Sequence, residues 1–245
     1  MKLLDNKVAV ITGGVRGIGL AISEAFAREG ARLLLTTTRH PERSAEAIER
    51  LRAYGTEVQL VEVDVADQAA VNNVLLPAAD AMGGADILVN NAGITRDGLM
   101  LRMSEDAWDD VLRVDLKAAY NTIHALLPKM MRKQGAIINI ASIVGIEGNA
   151  GQCNYAAAKA GLIGMSRSLA KEMGPKGVRT NCIAPGYILT EMTDFMSETM
   201  AADYISKIGL RRAGKPEEVA NVALFLASDM ASYVNGAVIE CTGAM

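Results

Sequence analysis

The feature that most constrains the fold of this chain is an alternation of short, continuous apolar runs with longer helical stretches. The apolar runs are rich in β-branched residues and reach five or six residues, which is typical of strands buried on both faces. A helix or another long crossover separates each run from the next, which implies parallel strands with helices on both faces of the sheet. The seven predicted strands are residues 7–12, 32–37, 57–63, 86–90, 136–141, 178–184 and 237–240.

The stretches between the strands contain the residue types that begin and end helices. Asp67 and Ser104 stand at N-cap positions, Pro216 at a first helical position and Gly30 just past a helix end. Pro128 lacks an N–H group, so we expect it to kink or break the helix around it. The predicted helices are residues 18–28, 42–54, 67–83, 152–173 and 216–226, with two helices in series over 104–134.

No linker interrupts this order of elements. The chain has 245 residues, half of them hydrophobic, which is enough for one large core. We therefore predict a single doubly wound α/β domain over residues 1–245, with a seven-stranded parallel sheet and helices on both faces.

Charge and composition exclude several classes of function. The formal charge is −3 and no basic run occurs, which argues against nucleic acid or an anionic membrane as a partner. The start of the chain lacks the apolar core of a signal peptide and no run is long enough to span a membrane, so we expect a soluble, cytoplasmic protein. The two histidines, His40 and His124, lie in unlike contexts and the three cysteines form no CxxC pair, so we expect no metal site.

The turn after the first strand has the composition of a phosphate-binding loop. It reads TGGVRGIG from Thr12 to Gly19, with the spacing GxxxGxG. Glycines let the backbone approach a pyrophosphate at the N-terminus of the next helix. The alternative is a glycine-rich turn that binds no ligand. The cofactor-binding candidates here are Gly13, Val15, Arg16, Gly17, Ile18 and Gly19.

The end of the second strand indicates which dinucleotide would bind. An acidic residue there would hold a ribose 2′-hydroxyl, but the sequence reads Thr36-Thr37-Thr38-Arg39, with no carboxylate before Glu42. Arg16 and Arg39 are both candidates for pairing with a 2′-phosphate, which favours NADP, with Thr38 beside them. The alternative is that both arginines are solvated surface charges.

Two further segments end strands on the rim where ligands of open parallel sheets bind. Asp64-Val65 follows the third strand, and Asn91-Ala92-Gly93 follows the fourth. Asp64 is suited either to hydrogen-bond an adenine amino group or to cap the following helix.

A serine, a tyrosine and a lysine form the candidate catalytic group. Ser142 ends the fifth strand, and Tyr155 and Lys159 are four residues apart, on one face of a helix. A phenol, whose ordinary pKa is about 10, is a poor acid–base group near neutral pH unless a cation stabilises its phenolate. Lys159 would be that cation.

By these motifs the chain resembles the short-chain dehydrogenase/reductase family along nearly its whole length. The resemblance implies a Rossmann-type fold and hydride transfer from NADPH to a ketone, with Tyr155 as proton donor, Lys159 lowering its pKa and holding the nicotinamide ribose, and Ser142 on the carbonyl oxygen. It also implies cofactor contacts from the Ala-Pro-Gly segment onward and a substrate lid over residues 188–208. An ordinary packed helix pair is the alternative for that segment. The cofactor residues so implied are Pro185, Gly186, Ile188 and Thr190.

The stretches NAGITRD, GQCNYAAAKAGLIG and FLASD are most similar to family members that reduce 3-oxoacyl thioesters in fatty acid synthesis, on a carrier protein or on CoA. The resemblance implies a homotetramer and an acidic carrier-protein partner, with Lys133 and Lys176 as docking residues. Two alternatives remain open: a reductase or dehydrogenase of another ketone or alcohol, and a weakly active, cofactor-binding subunit of a hetero-oligomer.

Asp115 is a departure from the family pattern, which has asparagine at this position as part of the catalytic group. A carboxylate near Lys159 would favour the ammonium form and weaken its field at the phenol, which would move the pH optimum to alkaline values. The alternative is a structural hydrogen-bond acceptor turned towards another donor.

Overall fold

A computed structural model describes residues 2–38, 44–191, 193 and 197–245. Its centre is a seven-stranded parallel sheet with the order β3-β2-β1-β4-β5-β6-β7. Each strand begins and ends within one residue of its prediction. The strands are β1 Val8–Thr12, β2 Arg32–Thr37, β3 Val58–Glu62, β4 Ile87–Asn90, β5 Ala136–Ile140, β6 Arg179–Pro185 and β7 Val238–Cys241.

The helices cover both faces of the sheet, as expected. Those that pack on one face are α1, α2 and α10, and those on the other include α4, α6 and α8. The helices are α1 Gly17–Arg28, α2 Ala45–Arg52, α3 Gln68–Ala70, α4 Leu76–Ala81, α5 Glu105–Leu112, α6 Ala118–Lys133, α7 Val144–Glu147, α8 Cys153–Met173, α9 Glu198–Lys207 and α10 Pro216–Ala227.

Side chains of successive strand residues enter opposite layers of core, which explains why the strands read as continuous apolar runs. In β1, Ala9 and Ile11 pack with α1 and α10, whereas Val8 and Val10 pack with α4 and α6. All four are essentially inaccessible to solvent. A strand buried on both faces is apolar at successive positions, so its sequence does not alternate between apolar and polar residues.

The predicted helix ends are confirmed where the structure describes them. Asp67 accepts hydrogen bonds from the N–H groups of Ala69 and Ala70, and Ser104 accepts one from Ala107. Gly30 lies just past α1 with φ +88°. Its N–H and that of Ala31 return to carbonyls of the last turn, the pattern expected after a helix C-terminus.

The prediction of two helices in series over 104–134 agrees with the structure, and only the form of their junction was not predicted. A π-helical segment, Arg113–Lys117, joins α5 directly to α6, and a second one, Val71–Leu75, joins α3 to α4. Pro128 does not break α6, which continues to Lys133. Leu126 and Met130 are fully buried on either side of the proline, and this packing compensates for the missing hydrogen bond.

The sheet order places the candidate site. β1 lies between β2 and β4. From β1 the sheet extends in one direction through β2 to β3, and in the other direction from β4 to β7. Ligands of such sheets bind in the crevice beyond the carboxyl ends of the strands at this switch point. In the described part of the chain, no helix is both long enough and apolar enough to cross a membrane.

Candidate active site

The turn between β1 and α1 brings backbone to the crevice at glycines, which have no side chain to block a ligand. Gly13 and Gly17 have φ values of +64° and +51°, in the left-handed region that favours glycine. A Cβ at Gly19 would lie 2.2 Å from the Gly13 carbonyl oxygen, so no other residue fits there. α1 begins at Gly17, and the first N–H groups of a helix have no intrahelical partners. The turn therefore fits a pyrophosphate.

Thr12 and Asn91 join this turn to the segment after β4. The Asn91 side-chain amide donates to the carbonyl oxygens of Thr12 at 2.9 Å and Gly13 at 3.2 Å. In return, the Thr12 hydroxyl accepts hydrogen bonds from the N–H groups of Asn91 at 2.9 Å and Ala92 at 3.0 Å. The two predicted cofactor-binding segments are thus one rigid unit. Thr12 was missing from the sequence-based site because its position, at the end of an apolar run, carried no separate signal.

The residues predicted to recognise the adenosine end lie at the same rim. The Thr36 hydroxyl accepts a hydrogen bond from Gly13 N–H at 3.3 Å, and Thr38 is exposed just beyond β2. The Arg16 side chain is 47% exposed, and Glu191 approaches its guanidinium to 3.8 Å. Arg39 lies outside the described residues.

Asp64 has both of the partners that a structural role requires. One carboxylate oxygen accepts the Ala66 N–H at 2.9 Å, and the other pairs with Arg113 at 2.9 Å. Val65, next to it, is buried, and its carbonyl oxygen accepts a hydrogen bond from Asn121. Ala66 precedes the helix that Asp67 caps, so Asp64 forms a turn before that helix and is not its N-cap, and a contact with adenine would have to be shared with Arg113.

Ser142, Tyr155 and Lys159 lie together beyond the end of β5. The Lys159 ammonium is buried; it donates to the Ile140 carbonyl oxygen at 3.0 Å and lies 5.4 Å from the centre of the Tyr155 ring. The Ser142 hydroxyl interacts with the Tyr155 phenol and acts to lower its pKa, and the Ser142 oxygen accepts the Val144 N–H at 3.1 Å. A phenol, a hydroxyl and an ammonium thus converge as the chemistry requires.

Asp115 lies at the centre of this group. One of its oxygens is 3.1 Å from the Lys159 ammonium nitrogen, and both side chains are almost completely buried. Burial raises the pKa of the Tyr155 phenol, the Lys159 charge opposes this, and the Asp115 carboxylate adds to the rise, so the net pKa lies above its ordinary value. Burial is the largest single influence on Lys159 and would lower its pKa, but Asp115 and Tyr155 together outweigh it, and the net pKa is raised.

Asn154 fixes the start of the catalytic helix. Its buried side-chain amide donates to the carbonyl oxygens of Arg96 and Ala107, each at 2.9 Å, and its own oxygen accepts the Tyr155 N–H at 2.8 Å. These bonds attach α8 to the loop after β4 and to α5. Sequence reasoning missed Asn154; the available signal was an amide residue directly before Tyr155 in a helix start.

The residues after β6 close the other side of the crevice. The Pro185 carbonyl oxygen accepts the Ile143 N–H, and Gly186 donates to Cys241. Ile188 is buried, and the Thr190 side chain lies 3.8 Å from the position that a Cβ at Gly17 would take. This segment therefore lies against the glycine-rich turn.

The predicted lid contains one described helix, α9, which packs on a small apolar cluster separate from the main core. The cluster is formed by Tyr187, Ile208 and Ala213, and Tyr204 of α9 contacts it. The described residues of this segment thus contain one packed helix, where the alternative interpretation predicted a pair; residues 192 and 194–196 of the predicted lid lie outside the described residues.

The two predicted docking lysines lie far from this crevice. Lys133 ends α6 and pairs with Asp86, just before β4, at 2.9 Å. Lys176 lies just before β6. Both are therefore at the amino ends of the strands, whereas Ser142 and Tyr155 are beyond the carboxyl ends.

Known proteins are similar to this chain over nearly its whole length. A family model described as enoyl-(acyl carrier protein) reductase matches residues 13–243. A 3-oxoacyl-(acyl-carrier-protein) reductase of Aquifex aeolicus is 45% identical over 243 residues, covering 99% of this chain and 98% of the relative. The corresponding reductase of Chlamydia trachomatis is 44% identical over 244 residues, covering 99% and 98%.

Solved structures agree with this result. A candidate short-chain alcohol dehydrogenase from Sinorhizobium meliloti superposes with a TM-score of 0.93 at 35% identity, covering 98% of this chain and 96% of that chain. A candidate gluconate dehydrogenase from Agrobacterium tumefaciens gives a TM-score of 0.94 at 31% identity, covering 99% and 96%. From its motifs, its fold and these relatives, the chain belongs to the short-chain dehydrogenase/reductase family.

Proposed function

We propose that this chain reduces 3-oxoacyl thioesters to 3-hydroxyacyl thioesters with NADPH, in fatty acid synthesis. The observation that carries the proposal is the convergence of Ser142, Tyr155 and Lys159 beside the glycine-rich turn between β1 and α1. The relatives named as 3-oxoacyl-(acyl-carrier-protein) reductases, similar over nearly the whole chain, support the choice of substrate.

Each residue of the group has a defined task in this reaction. Bound NADPH supplies the hydride for the ketone carbon. Ser142 hydrogen-bonds the carbonyl oxygen and holds it next to the phenol. Tyr155 transfers its proton to that oxygen as negative charge develops on it. Lys159 stabilises the phenolate that remains, because its ammonium is fixed near the ring by the Ile140 carbonyl.

The cofactor sites are assigned on the same basis. We assign the pyrophosphate to Gly13, Gly17 and Gly19, with Val15 and Ile18 beside them. The segments around Val65 and Asn91 and the segment from Pro185 to Thr190 would contact the rest of the nucleotide. The fit is supported by Gly19, which packs directly against Gly13, and by Gly17, where a Cβ would meet no atom closer than Thr190 at 3.8 Å.

NADP is proposed over NAD because no acidic residue ends β2 and Arg16 lies exposed at the same rim. A well-formed charge-assisted hydrogen bond to a phosphate contributes about 1.5–3 kcal/mol. Glu191 would compete with the phosphate for Arg16, but their contact is long and solvated, so it is weak.

In this proposal, binding of the carrier protein depends on the presence of a second subunit. A carrier protein docked on Lys133 and Lys176 would lie at the edge of the sheet opposite this chain's own Tyr155. Docking there would therefore serve the active site of a neighbouring subunit, which a homotetramer would provide.

Acetoacetyl-CoA reduction, followed by NADPH absorbance, tests the function. We expect turnover, with kcat/KM for NADPH at least about tenfold above that for NADH, since one phosphate contact of about 1.5 kcal/mol gives that factor. Arg16→Ala should reduce the preference, and Arg52→Ala, on the distant α2, should not. Equal kcat/KM for the two cofactors would contradict NADP specificity. Cofactor binding without turnover would indicate the weakly active subunit instead.

A further inference from the structure

Asp115 is held between two hydrogen-bond donors. One carboxylate oxygen accepts the Ile94 N–H at 2.8 Å, in the loop after β4. The other lies 3.1 Å from the Lys159 ammonium on α8 and has no other polar partner among the described residues. The π-helical segment Arg113–Lys117, which carries Asp115, is the kind of local irregularity found at functional sites.

Gly93 lies directly against the buried ion pair. A Cβ at Gly93 would lie 2.7 Å from the Asp115 oxygen that faces Lys159 and 3.4 Å from the Lys159 nitrogen, so only glycine fits at this position. A cavity of about 10 Å³ beside them, also lined by Thr12 and Asn90, has room for about one water molecule. In such surroundings each charge depends on the other, because burial of an unpaired ion costs several kcal/mol.

This environment is complementary to a carboxylate and not to an amide. A carboxylate has no N–H and presents an acceptor oxygen on each side, so one oxygen accepts the Ile94 N–H and the other forms the ion pair with Lys159. An asparagine side chain accepts at one atom and donates at the other. In either orientation, an N–H of asparagine would therefore face an N–H of Ile94 or Lys159.

We propose that Asp115 is a positioning residue that holds Lys159 as its counter-ion, and that it thereby keeps the Tyr155 phenol protonated to more alkaline pH than the lysine alone would allow. This inference rests on the proposed function for its kinetic consequence only. Under this proposal, the Asp115 oxygen that accepts the Ile94 N–H has the structural role, and the oxygen beside Lys159 has the electrostatic role.

The sign of the effect follows from the charges that face the pair. Lys159 favours the phenolate and Asp115 opposes it. The remaining groups are weaker or distant: Asp97, in the loop after β4, also opposes the phenolate, and the Cys182 thiol on β6 faces Lys159. The acidic residues of α5 and α7 that are exposed at the surface are Glu105, Asp106, Asp109 and Glu147.

Reduction requires the protonated phenol, and the reverse oxidation requires the phenolate. Asp115→Asn removes the charge that opposes the phenolate. The rate of reduction should then begin to fall at a lower pH, and the rate of oxidation should rise at a lower pH. We expect a shift of roughly one pH unit, the size typical of a nearby buried charge.

The test compares pH–rate profiles of the wild type, Asp115→Asn and Asp109→Asn with acetoacetyl-CoA and NADPH. Asp109 lies two turns earlier on the same helical run, is exposed and has no ion pair with a described residue, so it controls for removal of an acidic charge. Melting temperature and NADPH fluorescence show whether each variant folds and binds cofactor. A shift towards acid in Asp115→Asn alone supports the proposal; an unchanged profile or an alkaline shift overturns it.

A second measurement needs neither substrate nor turnover. The difference in ultraviolet absorbance between wild type and Tyr155→Phe, followed with pH, reports the titration of the Tyr155 phenol alone. In the wild type we expect it above the ordinary value of about 10, and in the Asp115→Asn background lower. If Asp115→Asn does not fold, the wild-type titration still decides, since a phenol that ionises below about 10 would overturn the proposal. If acetoacetyl-CoA is not reduced, the proposed function fails, and this titration still tests Asp115.

Discussion

At the scale of single residues, the neighbours of Lys159 explain why Asp115, Ser142, Tyr155 and Lys159 lie in one cluster. The lysine has a carbonyl oxygen, a carboxylate and an aromatic ring as neighbours. The carbonyl oxygen and the carboxylate compensate for the burial of the ammonium group, and the part of its positive charge that they do not neutralise acts on the Tyr155 phenol. The lysine is therefore fixed before any substrate binds, which is the condition for electrostatic stabilisation of a transition state.

Tyr155→Phe removes the proton donor and little else. The volumes of the two side chains are nearly equal, so the free energy of unfolding should change by less than about 1.5 kcal/mol. The rate of acetoacetyl-CoA reduction should fall by about 10²–10⁴-fold, the usual contribution of a general acid. NADPH binding, measured by fluorescence, should persist. Tyr54→Phe, at an exposed tyrosine after α2, is the control. A Tyr155→Phe protein with most of its activity would exclude this residue as the acid.

At the scale of elements, the strands were predictable and the local attachments were not. The apolar runs placed every strand to within one residue, because the inner strands are buried on both faces; β3 and β7, at the edges of the sheet, are only partly buried. The π-helical segments do not alter apolar periodicity enough to be recognised, so the direct junction of α5 with α6 was not predicted. The contacts of Asn154 link three segments that are distant in sequence, and no spacing rule predicts them.

Asn154→Ala tests how firmly the catalytic helix is attached. The change removes the side-chain donors to the carbonyl oxygens of Arg96 and Ala107, and the side chain is fully buried. Leaving such groups unpaired should lower the free energy of unfolding by about 1–3 kcal/mol in urea titrations. Asn149→Ala, which removes an exposed hydrogen bond to Gln152, should change it by no more than about 0.5 kcal/mol. Equal losses in the two variants would mean that Asn154 does not hold α8 in place.

At the scale of the whole molecule, two surfaces remain available for other copies of the chain. α6 and α8 lie side by side on one face, where Tyr120 is 50% exposed, with its ring 5.6 Å from that of His124. Gly164 on α8 is exposed, and a Cβ there would meet no atom within 4 Å. β7 is an edge strand of the sheet, with α10 packed beside it. A flat helical face and an unpaired sheet edge are both suited to pairing about a twofold axis.

If both surfaces are used, the protein is a homotetramer, and a single change on the helical face should divide it into dimers. Tyr120→Glu would place a carboxylate in that interface without a designed partner, and burial of an unpaired charge is strongly unfavourable. The pairing through α10 and β7 would not be affected. Light scattering at micromolar concentration should give the mass of four chains for the wild type and of two chains for the variant. Tyr54→Glu, a change of the same kind at an exposed tyrosine away from both surfaces, should leave four. A wild-type monomer would contradict the tetramer, and it would also remove the neighbouring active site that docking on Lys133 and Lys176 requires.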